Sequence, residues 1–235
     1  MKKISFVIPV YNEEENVPIL FGEIRAVADK LDCDYEVIFV DDCSTDSSLR
    51  EIRALAAQYP SVRTVSFPDN RGQSAALGAG FQAASGGIII TMDADLQNDP
   101  ADIPELLAHF GQYDMINGWR KERRDTLSKK VSSRIGNFVR NWLTDETIHD
   151  TGCSLKVMRA DMLKRIKIYR GLHRFLPTLM RLEGARVLEV PVNHRHRQFG
   201  VSKYTNLRRG IEGFQDLLAM RWLMKRHVRI DGEIS

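Results

Sequence analysis

Four times in the first hundred residues, a short apolar run stops at a cluster of small polar and acidic side chains. Ile4-Ser5-Phe6-Val7-Ile8 gives way to Pro9-Val10-Tyr11-Asn12-Glu13, and Tyr35 to Val40 gives way to Asp41-Asp42-Cys43-Ser44. Val62 to Phe67 precedes Asn70-Arg71-Gly72-Gln73, and Ile88 to Met92 runs into Asp93-Ala94-Asp95-Leu96-Gln97. Between the runs, apolar residues recur at helical spacing: Val17, Leu20, Ile24, Val27 and Leu31, then Leu49, Ile52, Leu55 and Ala56, then an Ala-rich stretch over 74–84. Continuous β-branched runs alternating with a 3.6-residue period predict an α/β fold, a mostly parallel sheet with helices on both faces. In such open sheets ligands lie outside the carboxyl ends of the strands. The pattern therefore predicts one sheet edge carrying all four polar clusters.

The rest of the chain extends this architecture. A helix is predicted over 102–110, strands over 113–117, 153–158 and 185–190, and short helices over 161–166 and 173–183. A basic loop over 193–203 leads to a closing helix over 207–224, with Leu207, Ile211, Phe214, Leu218 and Trp222 at helical spacing. The expected division is a domain over 1–203 and a C-terminal amphipathic helix and tail over 204–235. That helix is expected either to lie on an anionic membrane surface or to pack on the core or on a second copy of the chain in a homodimer. No run resembles a secretory leader or a spanning helix. With 235 residues, 43% hydrophobic and 28% charged, the chain is neither disordered nor a disulfide scaffold. The odd cysteine count (Cys33, Cys43, Cys153) favours reduced thiols in the cytoplasm. A net charge of +3 is too small for generic nucleic-acid binding.

Four or more carboxylates gathered at one edge repel one another unless they share a cation. Asp93 and Asp95 offer hard oxygen ligands and Gln97 adds a neutral one, a set suited to Mg²⁺ or Mn²⁺ escorting phosphates. A D-x-D triplet alone is more often a turn or cap, so its place among the other clusters carries the reading. Other signals deflate. Gly78-Ala79-Gly80-Phe81-Gln82-Ala83 has the form of a dinucleotide fingerprint but falls inside a predicted helix, where it reads as close packing. No phosphate loop of the nucleoside-triphosphatase type occurs. His194 and His196 lack further zinc ligands, Cys43 lacks a histidine companion, and Trp119 and Trp142 read as core or rim residues.

In order, Val7-Ile8-Pro9-Val10-Tyr11-Asn12-Glu13, Val40-Asp41-Asp42-Cys43-Ser44-Thr45-Asp46, Asn70-Arg71-Gly72 and Met92-Asp93-Ala94-Asp95-Leu96-Gln97 resemble the family 2 glycosyltransferases of GT-A fold. The last stretch, with Pro100, is most similar to the polyprenyl-phosphate sugar synthases of the dolichyl-phosphate mannose synthase type. The resemblance implies a nucleotide-sugar pocket made by Pro9, Val10, Tyr11, Glu13, Val40, Asp42, Gly72 and Gln73. It implies that Asp93, Ala94 and Asp95 grip the ribose-diphosphate, with Asp93, Asp95 and Gln97 holding the metal. Arg120 matches a donor-side arginine, and Arg197 and Lys203 match basic residues that reach the phosphates. Lys129 and Ser133 lie in the segment similar to the acceptor loop, and Asp150 matches a site aspartate.

Those roles make physical sense. A divalent ion would stabilise the leaving diphosphate, and Arg120, Arg197 and Lys203 would add fixed positive charge. Eight Lys or Arg over 120–140 suit an anionic acceptor. The leading expectation is an inverting, metal-dependent transferase moving a hexose from a UDP- or GDP-linked donor to a polyprenyl phosphate or other lipid-linked acceptor, at the cytoplasmic membrane face. One alternative is transfer to a saccharide or glycolipid hydroxyl with Asp150 as base. Another is a nucleotide-sugar-binding relative without turnover.

Overall fold

A computed structural model describes residues 2–121, 148–197, 199 and 206–229. Seven strands form one sheet in the order β3-β2-β1-β4-β6-β5-β7. They are β1 (Ile4–Val10), β2 (Tyr35–Asp41), β3 (Val62–Ser66), β4 (Ile88–Thr91), β5 (Met115–Trp119), β6 (Lys156–Arg159) and β7 (Val187–Pro191). The helices are α1 (Asn16–Ala28), α2 (Ser48–Gln58), α3 (Gln73–Ala83), α4 (Ile103–Ala108), α5 (Ala160–Leu163), α6 (Leu176–Leu182) and α7 (Asn206–Arg226).

Side-chain alternation along β1 divides the core into two layers. Phe6, Ile8 and Val10 face Val17, Leu20 and Ile24 of α1 and Leu106 of α4. Val7 faces the other way, with Ile38 and Val40, against Ala76, Leu77 and Phe81 of α3. The second layer continues through Leu176 and Met180 of α6 to Leu217 and Met220 of α7. The closing helix thus packs one face on the core, while Leu218 and Trp222 stay 48% and 64% exposed. Among the described residues, no helix is long and apolar enough to cross a membrane. All three cysteines are free.

The expected elements are present, with local differences. β1 does not stop at Pro9 but runs to Val10. It pairs with β4 only as far as Val7, so at Pro9 it has a single neighbour and a missing N–H is tolerated. β6 is antiparallel to both β4 and β5, which makes the sheet mixed. It begins at Lys156 rather than residue 153, because Cys153 N–H turns back to Asp150 O. β5 lies two residues later than expected, which puts Arg120 directly at its carboxyl end. The segment read as one helix over 173–183 is a 3-10 turn, Leu172–Arg174, followed by α6.

The glycines of the false fingerprint serve packing. A Cβ on Gly78 would stand 2.8 Å from Ile168 Cγ2, and one on Gly80 would collide with Val7 Cγ1. Gly22, on the exposed side of α1, would meet nothing within 4 Å. Gly80→Ala should therefore lower the unfolding free energy by about 1–3 kcal/mol. Gly22→Ala should raise it by about 0.5–1 kcal/mol. Denaturant titration of both variants checks the pair; equal and opposite signs from those stated would contradict this packing.

Candidate active site

The loops leaving β1, β2 and β4 converge at one sheet edge, and all are under backbone strain. Among the described residues, the non-glycine residues with positive φ are Asn12 (54°), Cys43 (61°) and Leu96 (60°), one in each loop. Such conformations cost free energy and persist where surrounding contacts fix them. The contacts here are specific. Asn12 N–H donates to Ser44 Oγ (3.0 Å), Glu13 N–H to Ser48 Oγ (2.8 Å), and Thr45 N–H to Asn12 Oδ1 (2.7 Å). Tyr11 stands exposed above this brace, and Glu13 is partly buried within it.

The β3–α3 loop is held from β2. Asp42 accepts Arg71 N–H on Oδ1 (2.7 Å) and Gly72 N–H on Oδ2 (2.8 Å), and burial raises its pKa. Gly72 caps α3 at φ 84°, ψ 161°, a conformation that needs glycine. Gln73 then projects to the end of β4, where its Nε2 donates to Asp93 Oδ1 (2.7 Å).

Asp93 and Asp95 form the centre. Asp93 N–H donates to Ser154 Oγ (3.2 Å). Burial, and then the neighbouring Asp95, push the Asp93 carboxyl up to about 6. Asp95 Oδ1 accepts Gln97 N–H (3.2 Å), and Asp95 Oδ2 pairs with Arg197 Nη2 (2.7 Å). Arg197 Nη1 also reaches Glu13 Oε1 (3.5 Å). Among the described residues, no three Asp, Glu, His or Cys side chains gather as a complete ligand set. Two carboxylates with a neutral amide still fit Mg²⁺ or Mn²⁺, which complete their shells with phosphate and water. The fit is visible in the charges: the Asp93–Asp95 pair is repulsive, and a guanidinium already answers the second carboxylate.

Arg197 reaches Asp95 because the segment after β7 is pinned along its length. Asp102 accepts Asn193 N–H (2.8 Å) and Asn193 Nδ2 (2.7 Å). Arg195 N–H donates to Gln97 O (2.9 Å), and its guanidinium clasps Glu23 of α1 at 2.8 and 2.7 Å. On the other flank, Arg120 Nε and Nη2 bind the two oxygens of Asp150 at 2.7 and 2.9 Å. Burial alone would lower the Arg120 pKa, but this pairing raises it, so the guanidinium stays charged. Asp150 is held by its main chain as well: its N–H donates to Glu189 Oε1 (3.0 Å) and its carbonyl accepts from Asn117 Nδ2 (2.9 Å).

Three expected pocket residues offer no side chain to a ligand. Val10 and Ala94 are buried in one core layer and Val40 in the other, so each presents only its main chain. Pro9 lies on β1 beside them. Lys129, Ser133, Lys203 and Trp142 lie outside the described residues. The sequence reading passed over Arg195, Ser154, Asn117, Glu189 and Lys156. Lys156 is buried, and its Nζ donates to Thr151 O (3.2 Å) and Cys153 O, which fixes the loop carrying Asp150. Its signal was present, as a charge inside the apolar run Leu155-Lys156-Val157-Met158.

An Asp93 carboxyl raised above its unfolded value favours the folded state below the unfolded pKa, and that contribution is lost as pH rises through about 6. At pH 7.5 the metal-free protein therefore carries a destabilising charge. Asp93→Asn should raise the melting temperature of the metal-free protein at pH 7.5, with the gain fading towards pH 4, and should abolish stabilisation by Mn²⁺. Thermal melts with EDTA and with Mn²⁺ test both; a variant that melts lower and still responds to Mn²⁺ contradicts the assignment.

Comparison with known proteins gives the chain a family. The model of glycosyl transferase family 2 matches residues 5–167. Dodecaprenyl-phosphate galacturonate synthase of Rhizobium johnstonii is 37% identical over 233 residues, 97% of this chain and 69% of that protein. Undecaprenyl-phosphate 4-deoxy-4-formamido-L-arabinose transferase of Salmonella paratyphi A is 38% identical over 211 residues, 88% of this chain and 64% of that protein. The chain thus spans about two thirds of the length of these relatives. Glucosyl-3-phosphoglycerate synthase from Mycobacterium tuberculosis, solved in complex with Mn²⁺ and uridine-diphosphate-glucose, matches with a TM-score of 0.68. That match covers 98% of this chain and 81% of the other at 22% identity, a likeness of fold. The family model and the 37% identical relative together place the chain in glycosyl transferase family 2.

Proposed function

We propose that the protein transfers a hexose from a UDP- or GDP-linked donor to a polyprenyl phosphate at the cytoplasmic face of a membrane, in one inverting step that uses Mg²⁺ or Mn²⁺. The observation that carries this reading is the meeting of Asp93 and Asp95 with Gln73 and Arg197, from three separate segments, at one sheet edge. The names of the two relatives, both polyprenyl-phosphate sugar enzymes, support the acceptor class.

Tyr11 and Glu13 would take the base and ribose, with Asp42 shaping the loop that closes the pocket. Asp93, Asp95 and Gln97 would hold the cation, which when bound supplies charge stabilisation to the leaving diphosphate. Arg197 already sits at Asp95 and would keep its charge beside the donor phosphates. Arg120 lies near enough to Asp93 for each to shift the other's pKa, and Asp150 fixes its orientation. With both Asp150 oxygens bound to Arg120, this carboxylate serves as an anchor rather than a base. That favours an acceptor phosphate, which is already anionic and needs no strong base, over a hydroxyl. Lys129, Ser133 and Lys203 are assigned to acceptor and donor phosphates. The exposed Leu218 and Trp222 of α7, with Lys225 and Arg226 beyond them, would rest on the membrane surface.

Purified protein incubated with radiolabelled nucleotide-hexose, Mn²⁺ and undecaprenyl phosphate should yield organic-soluble label. Asp95→Asn should reduce this by roughly 100-fold or more. Asp150→Asn should slow transfer without altering the shape of the pH profile. Absence of lipid-linked label with every UDP- and GDP-hexose would refute the acceptor assignment. Loss of the acidic limb of the pH–activity profile in Asp150→Asn would restore that residue as a base.

A further inference from the structure

Ser154 precedes β6, and its single hydroxyl meets both ends of the loop that runs from Asp93 to Asn98. At the start of the loop, Ser154 Oγ accepts the Asp93 N–H (3.2 Å). At its end, the same hydroxyl donates to Asn98 Oδ1 (2.6 Å). Between these points lie Asp95, Leu96 at φ 60° and Gln97, whose N–H donates to Asp95 Oδ1 (3.2 Å). One side-chain oxygen, 61 residues from Asp93 and 56 from Asn98, thus brackets the cation ligands proposed above. A strained residue inside a short loop keeps its conformation only while the contacts around it hold.

Both partners of this hydroxyl are anchored, and so is Ser154 itself. Its carbonyl accepts Thr91 Oγ1 (2.8 Å) from the end of β4. Lys156 Nζ donates to Thr151 O (3.2 Å) and Cys153 O just before it, and β6 starts just after it with Lys156 opposite Thr91. Asn98 is buried; its Nδ2 donates to Cys153 Sγ (3.8 Å) and its carbonyl accepts from Arg195 Nη2 (2.9 Å). With Nδ2 turned to the sulfur, Oδ1 faces the hydroxyl. The hydroxyl proton then goes to Asn98, and a lone pair is left for Asp93 N–H. A side chain here must donate and accept at once, which a hydroxyl does and a methyl group does not.

We infer that Ser154 is a positioning residue for the Asp93–Asp95 pair: its hydroxyl ties the two ends of the loop to β6 and so sets the spacing of the carboxylates and Gln97. The inference rests on the reading of those three residues as cation ligands, and it adds a residue outside the ligand set. Removing a partner that orients metal ligands from outside the coordination shell commonly weakens metal affinity by about 10–100-fold.

Two measurements on the full chain test this, each for the wild type, Ser154→Ala and Ser154→Thr. Titration calorimetry with Mn²⁺ should show affinity about tenfold or more weaker in Ser154→Ala. Ser154→Thr keeps the hydroxyl and should restore most of that affinity. Nucleotide affinity in EDTA should be the same in all three proteins. Amide hydrogen exchange in EDTA should be about tenfold faster over 93–98 in Ser154→Ala, as loss of one hydrogen bond predicts, and unchanged in β1 and α1. Mn²⁺ affinity unchanged in Ser154→Ala overturns the positioning role. So does Ser154→Thr binding as weakly as Ser154→Ala, which assigns the effect to packing. Exchange that quickens throughout the sheet overturns it too, in favour of general destabilisation. Failure of the cation reading looks different: wild-type protein takes up no Mn²⁺, while exchange over 93–98 still quickens in Ser154→Ala and upholds the tie between loop and β6.

Discussion

Electrostatic repulsion between Asp93 and Asp95 organises this end of the molecule. The two carboxylates leave the same strand two residues apart, and the protein answers them with groups from distant parts of the chain. Arg197 pairs with Asp95, Gln73 donates to Asp93, and Arg120 and Lys156 lie close enough to draw the Asp93 pKa back down. Burial and the neighbouring charge still win, so the pair remains a place where a cation lowers the energy. The first half of the chain supplies the negative charge, and much of the second half supplies positive charge to it.

The braces beyond the site follow from the same need. Arg195 holding Glu23, Asp102 holding Asn193 and Glu189 holding the Asp150 main chain do not touch the central pair. Each instead fixes a segment that carries a residue which does. The Asp150 segment also holds a fully paired buried charge, and the loops after β1, β2 and β4 each hold a non-glycine residue at positive φ. Strain and buried charge are concentrated where geometry must be kept, while the two core layers behind are ordinary packing of α1 and α3 against the sheet.

The strand–helix order of the first half was legible because each apolar run is bounded by turn residues and each helix shows its period. The carboxyl-end clusters were legible for the same reason. The direction of β6 was not, since Lys156-Val157-Met158 reads alike in a parallel or antiparallel pair. Val40 could have been excluded from the pocket lining by parity, because it shares the face of Ile38 that meets α3. The partnership of Arg195 with Glu23, 172 residues away, leaves no local trace. Arg197 was reached only through the family resemblance, and its 2.7 Å contact with Asp95 has no local trace in the sequence.

A cation shared between the Asp93–Asp95 pair and a donor diphosphate is the feature on which the proposed transfer depends. Electron paramagnetic resonance of Mn²⁺, titrated with and without UDP or GDP, measures that sharing directly. Tighter Mn²⁺ binding in the presence of a nucleoside diphosphate, lost when Asp95 is replaced by Ala, is the result predicted. Nucleotide bound equally well in EDTA, or Mn²⁺ held as firmly after the Asp95 replacement, would contradict it.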